Sequence, residues 1–209
     1  GKLIMSSSTN AESTRTDALY KFLKGGYAVG DNSSINGSGD SVVGWNWVAN
    51  AGTTASNSNG SITSTVQANT TAGFSIVTYT GSGSNATVGH GLSSAPEWML
   101  FKNLDDGNEG WPVYHKNLTS AAYILALNNT NAEASTPSDF NSTAPTSSVL
   151  SVGTNARTNS SSVRYLAYCW HGVDGFSKFG KYIGNGNANG TNVYTGFKPA
   201  FIMIKRITE

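Results

Sequence analysis

Short apolar runs separated by polar, glycine-rich stretches recur along this chain, and each run predicts a β-strand. Apolar and polar positions alternate over Ser41–Val48 and Val163–Trp170, which predicts strands with one buried face. Further strands are predicted at Ser61–Gln67, Phe74–Thr80, Trp98–Lys102, Pro112–His115, Tyr123–Leu127 and Ala200–Ile204. Many short strands joined by turns are typical of an all-β protein.

The segments between these strands predict turns and a single helix. Thr16–Lys24 ("TDALYKFLK") predicts a helix of two turns, with Thr16 or Asp17 as its N-cap and Gly25 as its C-cap. Asp105–Gly110 ("DDGNEG") predicts a hairpin or tight turn, and Ser142–Val149 predicts a loop.

The chain contains similar stretches at long spacing, and a first pair begins at Gly73 and at Gly175. "GFSIVTYTGSGSNATVGHGLSSAPEWMLFKN" and "GFSKFGKYIGNGNANGTNVYTGFKPAFIMIKR" share a strand, a Gly/Asn turn, a proline, an apolar strand and a lysine in that order. A second pair aligns Ala28–Trp47 with Ser151–Trp170, and "TNAE" occurs at Thr9–Glu12 and again at Thr130–Glu133. These similarities predict a repeat of about 100 residues.

The repeat divides the chain into four parts. Residues 1–47 are predicted to be the back half of a unit, 48–72 a polar inserted segment, 73–170 a complete unit and 171–209 the front half of another. Either the chain is a piece of a longer array, or its two half units complete each other and close a second sandwich. The predicted fold is all-β, built from β-sandwich or jelly-roll-like units.

Composition narrows the classes of function. Ser, Thr, Asn and Gly fill 96 of 209 positions, charged residues make up 12%, and the net charge is +1. Without a basic stripe, nucleic-acid binding lacks its usual electrostatic signature. No apolar run approaches the length of a membrane span. The single Cys169 excludes both an intrachain disulfide and a cysteine-based zinc site.

Residues with catalytic or metal-binding potential are few and scattered. Asp105, Asp106 and Glu109 crowd one turn, where solvation explains them better than a glycosidase pair or a Ca²⁺ site. The histidines His90, His115 and His171 are too far apart in sequence to form a recognisable metal motif. Cys169 lies inside an apolar strand, and "GNGNANG" (184–190) lacks the lysine of a phosphate loop. The sequence therefore predicts no catalytic, metal or cofactor site.

Aromatic residues have two interpretations. Trp111 and Tyr114 follow the polar turn at Asp105–Gly110, so they are the best candidates for a glycan contact, although a core or interface role is the favoured alternative. Four residues are predicted to lie in the core, namely Trp47, Trp170, Phe101 and Ile204.

Several strings resemble repeats in tail-fibre and structural proteins of marine tailed bacteriophages. They are "TGSGSNATVGHGLSSAPEWMLFKN", "WPVYHKNL", "YLAYCW", "GFSKFGKYIGNGNANG" and "YTGFKPAFIMIKR", and the resemblance extends from about Gly26 to Arg206. It implies a non-enzymatic virion protein that acts in an appendage or in host attachment. Its partners would be copies of itself, other virion proteins or a host-surface glycan. The alternatives are a glycan-binding module of a polysaccharide depolymerase and a capsid decoration protein.

Overall fold

Strands dominate the computed structural model, which describes residues 1–50 and 53–208. The strands are β1 (Lys2–Leu3), β2 (Ser13–Thr14), β3 (Leu19–Leu23), β4 (Gly26–Val29), β5 (Ala55–Asn57), β6 (Ser64–Asn69), β7 (Phe74–Thr80), β8 (Ala86–Gly89), β9 (Trp98–Asn103), β10 (Pro112–His115), β11 (Tyr123–Ala126), β12 (Ala134–Ser135), β13 (Val149–Val152) and β14 (Arg164–Trp170). The helices α1 (Ser33–Asn36) and α2 (Pro137–Phe140) are single turns. The all-β prediction is confirmed, and no helix among the described residues is long and apolar enough to cross a membrane.

An eight-stranded antiparallel sheet forms the body of the protein. Its strand order is β12-β11-β10-β9-β14-β7-β6-β5. The last strand in sequence, β14, lies at the centre and pairs with β7 from Arg164↔Thr80 to Trp170↔Phe74. It also pairs with β9 along its other edge. Because β14 has a paired neighbour along each edge, its backbone N–H and C=O groups find hydrogen-bond partners within the sheet.

Both faces of this sheet carry a hydrophobic core. One face buries Val77, Phe101, Tyr165, Ala167 and Cys169, and the antiparallel pair β8–β13 packs over it with Val88, Leu150 and Val152. The opposite face buries Phe74, Leu100, Trp111, Val113 and Trp170. Ile4 and Ile207 of the two chain ends pack against that second core. The sheet is therefore covered on one side by a strand pair and on the other by the terminal segments.

The central strands agree with the sequence prediction, and the segment before them does not. Phe74–Thr80 and Pro112–His115 are strands with the predicted bounds, and β6, β9, β11 and β14 overlap their predictions. The predicted helix over Thr16–Lys24 is wrong, because Leu19–Leu23 pairs with Gly26–Val29 as a hairpin. Gly25 has φ of 84°, a conformation that suits a hairpin turn as well as a helix cap.

Two predicted strands near the chain ends are absent from the described structure. Ser41–Val48 and Ala200–Ile204 form no regular structure. Trp47 and Ile204 are 47% and 66% exposed, so the prediction that they lie in the core is wrong. Trp170 and Phe101 are buried, which confirms their predicted place. The difference has a physical reason: β14 has neighbours on both edges, whereas 41–48 pairs with no described strand.

The structure does not show a second complete copy of a 100-residue unit. Residues 73–102 contain most of three strands, β7, β8 and β9, whereas 175–205 contain none. These two stretches therefore differ in backbone structure, contrary to the similarity predicted from their sequences. Individual strand pairings and turns do recur at offsets of about 121 to 123 residues, and they are described below with the inference that depends on them.

Candidate functional site

An open polar cleft of about 370 Å³ lies beside the turn that follows β9. Its polar lining consists of Thr9, Asn108, Glu109, Asn128, Asn129, Asn155 and Arg157. Its lining includes residues 108–110 of the predicted turn, here called the near wall, and Asn155 and Arg157 of a later turn, here called the far wall. Together with Thr9 and residues 126–129, four separate parts of the chain thus meet at one surface depression.

The turn Asp105–Gly110 is fixed from within by side chains. Asn103 is 1% exposed, and its Oδ1 accepts hydrogen bonds from the backbone nitrogens of Asp105 and Asp106 at 3.0 and 2.9 Å. Its Nδ2 donates to the carbonyl oxygen of Ala156 at 3.0 Å. Asn103 therefore joins the two walls of the cleft to each other.

A fully buried lysine reinforces this junction. The Nζ of Lys102 donates to the carbonyl oxygens of Thr9 at 3.0 Å, Asn103 at 2.8 Å and Glu109 at 3.0 Å. Burial lowers the pKa of Lys102, and the nearby carboxylates of Glu109 and Asp106 oppose that shift. Because an ammonium group has three donors, this arrangement uses all of them.

The far wall presents a guanidinium group held in a fixed orientation. Nη2 of Arg157 lies 2.7 Å from Oδ2 of Asp139, and Oδ1 of Asn155 accepts from Nε of Arg157 at 3.2 Å. Asp139 is completely buried, and burial raises its pKa although the neighbouring Arg157 opposes the shift. The Arg157 side chain stays 26% exposed. Within the described chain, Nη1 of Arg157 makes no hydrogen bond, and Arg157 is one of the residues that line the cleft.

Trp111 is one of the residues that line the cleft, but its side chain is buried. The indole is 3% exposed, and its Nε1 donates to the carbonyl oxygen of Met5 at 2.9 Å. Tyr114 is 6% exposed and packs edge-on against Phe140, with ring centroids 5.9 Å apart. Neither ring is available for stacking on a sugar, so burial favours the core role for both predicted glycan contacts.

The three acids of the turn, predicted to be solvated, are exposed or half-buried and make different contacts. Asp105 receives hydrogen bonds from the backbone and guanidinium nitrogens of Arg164. Oδ1 of Asp106 accepts from both nitrogens of Asn108 at 2.9 Å, which closes the turn. Glu109 lines the cleft and is its one carboxylate among the described lining residues.

His90 and Cys169, both outside the cleft, are part of the buried framework. His90 is completely buried; its Nδ1 accepts from the backbone nitrogen of Leu92, and its Nε2 lies 3.1 Å from the carbonyl oxygen of Thr146. Burial lowers the pKa of His90, and it raises the pKa of Cys169 to about 12. Among residues 1–50 and 53–208, no three His, Cys, Asp or Glu side chains converge on a possible metal site.

One family model matches this chain, and it covers residues 1–209. Its description is a domain of unknown function, DUF7483. The chain belongs to the DUF7483 family. Comparisons of this DUF7483 chain with curated proteins and with solved structures gave no match.

The sequence of this DUF7483 chain predicts a turn at Asp105–Gly110 with solvated acids, places its possible glycan contacts at Trp111 and Tyr114, and gives no role to Asn155 and Arg157. Asn155 and Arg157 were missed, because only the fold brings them close to a turn some 50 residues earlier. A signal for Asn155 was present in its alignment with Asn32, since asparagine at equivalent turn positions often bonds to nearby backbone.

Proposed function

We propose that this DUF7483 chain is a non-enzymatic structural component of a tailed-bacteriophage particle, and that it binds a host-surface glycan through the polar cleft. The resemblance of its strings to tail-fibre and structural proteins supports the virion role and an extracellular location. The cleft carries the binding role, because it presents amides, a guanidinium group and one carboxylate in a depression. Such groups match the donors and acceptors of sugar hydroxyls.

The fixed orientation of these groups supports binding. Arg157 is held by Asn155 and Asp139, and Asn128 is anchored because its Oδ1 accepts from the backbone nitrogen of Trp111 at 3.0 Å. Groups that are already ordered lose little conformational freedom when a ligand binds. Because both nearby aromatic rings are buried, the affinity rests on polar contacts alone, and we expect weak binding that many copies on a particle would strengthen.

The carboxylates support a role without hydrolysis. Glycosidases of the usual kind place two carboxyl groups on either side of the scissile bond. In the described part of the cleft, Glu109 has no carboxylate facing it, since Asp105 binds Arg164 and Asp139 is buried against Arg157. A depolymerase mechanism based on Glu109 would need a second carboxyl group that the described lining of the cleft does not supply.

Binding can be tested on an array of bacterial surface polysaccharides. We expect the wild-type protein to retain a subset of capsular or lipopolysaccharide glycans, and Asn108→Ala with Asn129→Ala to weaken that retention about thirtyfold, because each of the two lost hydrogen bonds costs about 1 kcal/mol. Asn59→Ala is the matched control, since Asn59 is an exposed asparagine outside the cleft. Equal retention by the cleft variants and the control would remove the cleft from the proposal.

Two further measurements separate the parts of this proposal. Glycan chain length is followed during incubation with the protein; shortening that Glu109→Gln abolishes would overturn the non-enzymatic assignment. Immunogold labelling of particles then distinguishes a fibre or other appendage from the capsid surface. Label on the capsid alone would support a decoration protein, and no label on particles would contradict the virion role.

A further inference from the structure

Exposed apolar side chains are concentrated near the two ends of the described chain. The exposed apolar residues of 42–48 and 176–204 include Val42, Val43, Trp45, Trp47, Ile183, Tyr194, Ile202, Met203 and Ile204. Contiguous exposed apolar surface usually marks a place where something else packs. The structure itself indicates what packs here, because contacts of the complete unit recur at these ends.

A strand pair recurs with the same register. Lys2 and Leu3 pair with Thr14 and Ser13, and 121 positions later Tyr123 and Ile124 pair with Ser135 and Ala134. The next backbone hydrogen bond recurs too. The nitrogen of Arg15 donates to the oxygen of Gly1 at 2.9 Å, and that of Thr136 donates to the oxygen of Ala122 at 2.7 Å. Residues 1–15 thus repeat the local structure of 122–136.

The asparagine turns after these strands also match. The nitrogen of Asn32 donates to the oxygen of Asp17, as the nitrogen of Asn155 does to that of Ser138. Oδ1 of Asn32 accepts from the nitrogen of Ser34, as Oδ1 of Asn155 does from that of Arg157. Nδ2 of Asn36 donates to the oxygen of Gly30, as Nδ2 of Asn159 does to that of Gly153. A Cβ at Gly30 would lie 2.4 Å from the oxygen of Asp17, and one at Gly153 would lie 2.1 Å from the oxygen of Ser138. Glycine is required at both positions for the same reason.

The two matching segments, 1–15 and 122–136, each contact the end of a similar apolar stretch, at 102–104 and at 205–207. The nitrogen of Glu12 donates to the oxygen of Leu104 at 2.9 Å, and the nitrogen of Glu133 donates to the oxygen of Ile207 at 3.0 Å. Lys102 donates to the oxygen of Thr9, and its counterpart Lys205 donates to the oxygen of Asn129. The hydrogen bonds between 1–15 and 102–104 therefore resemble those between 122–136 and 205–207.

Aromatic contacts also recur, between the segment that contains Trp47 and the segment that contains Phe201. In the complete unit Trp98 stacks on Trp170, with ring centroids 4.3 Å apart. The counterparts of these residues, Phe201 and Trp47, contact each other with centroids 6.0 Å apart. Trp47 also contacts its own counterpart Trp170 at 6.2 Å. Contact between two equivalent residues is the property of an interface with two-fold symmetry.

We propose that the two ends of the chain form a second unit with each other, related to residues 73–170 by an approximate two-fold axis near Trp47 and Trp170. In this unit, residues 41–47, which form no strand in the described structure, would become the central strand between 176–182 and 201–206, as β14 lies between β7 and β9. The occupant of the exposed apolar surface is thus a segment of the same chain. This inference does not depend on the proposed glycan binding.

The pairing of β14 with β9 predicts which residues should lie opposite each other in the proposed second unit. Cys169 pairs with Met99 across β14 and β9. Its counterpart Asn46 should therefore lie opposite Ile202, the counterpart of Met99. Strand formation would pair backbone groups that 41–47 now leaves without a strand partner and would bury one face of the segment.

Disulfide trapping tests the proposed register. The double variant Asn46→Cys with Ile202→Cys is oxidised mildly and compared with Asn46→Cys with Met203→Cys, in which the second thiol lies on the opposite face. We expect a disulfide in the first variant, at the mass of a single chain, and a several-fold lower yield in the second. Cys169 should not interfere, because it is completely buried. Equal yields in both variants would overturn the register.

Two other measurements distinguish pairing within one chain from exchange between copies and from the absence of strand pairing. When Asn46→Cys protein is mixed with Ile202→Cys protein, a linked pair of chains would show exchange between copies and overturn pairing within one chain. Hydrogen exchange on the wild-type protein should show protection of amides in 41–47 and 201–206 that approaches that of 164–170. Exchange as fast as in a free loop would also overturn the proposal.

Discussion

Single buried side chains hold the candidate site together across long distances in sequence. Lys102 joins the carbonyl oxygen of Thr9 to that of Glu109, and Asn103 joins the turn after β9 to Ala156. The sequence shows Lys102 only as the polar end of an apolar strand. Its burial depends on carbonyl groups that come from elsewhere in the chain, so no local pattern could have predicted it.

Lys102→Met provides a test at the scale of one residue. The variant keeps the length of the side chain and leaves three carbonyl oxygens without their donor, so we expect the free energy of unfolding to fall by about 3 kcal/mol. Urea titration followed by tryptophan fluorescence measures this loss. Lys21→Met is the matched control, because Lys21 is exposed on β3 and should change stability by less than about 0.5 kcal/mol. A loss no larger than that of the control would contradict the structural role of Lys102.

At the scale of the element, sequence patterns predicted strands well where both neighbours were available. Phe74–Thr80 and Pro112–His115 agree with their predicted bounds, since their apolar positions face a core on the finished sheet. The segment Thr16–Lys24 has helical spacing of apolar residues. It nevertheless contains a strand, because Gly26–Val29 follows directly and pairs with Leu19–Leu23 as a hairpin. Ser41–Val48 shows the reverse case, in which a strand pattern has no described neighbour to pair with.

Two equivalent asparagines allow a prediction for the turns that recur. Asn159 is completely buried; its Nδ2 donates to the oxygens of Gly153 and Ser84, and its Oδ1 accepts from the nitrogen of Ser82. Asn36 makes only the first of these bonds, to Gly30. We therefore expect Asn159→Ala to lower the free energy of unfolding by about 3 kcal/mol and Asn36→Ala by about 1 kcal/mol or less. Chemical denaturation of both variants measures the difference, and equal losses would show that the extra bonds add nothing.

At the scale of the whole molecule, the position of β14 decides the topology. The strand that comes last in sequence lies between β7 and β9 at the centre of the sheet. An apolar strand pattern predicts that Arg164–Trp170 is buried but does not specify its neighbours, because pairing over such separations depends on which edges remain open when the chain collapses. The all-β class was therefore predictable, whereas the strand order and the cleft beside it were not. Association with copies of itself or with other virion proteins stays a prediction.

The two equivalent tryptophans test how far the molecule behaves as one cooperative body. Trp170 is 8% exposed and stacks on Phe74 and Trp98, so Trp170→Ala should lower the free energy of unfolding of the main sheet by about 3–5 kcal/mol. Trp47 is 47% exposed and lies against Trp170 with ring centroids 6.2 Å apart, so Trp47→Ala should cost about 1 kcal/mol there. Calorimetry measures both effects. If Trp47→Ala lowered the main transition as much as Trp170→Ala, the terminal segments would be integral to the core of the sheet, and the chain would unfold as a single unit.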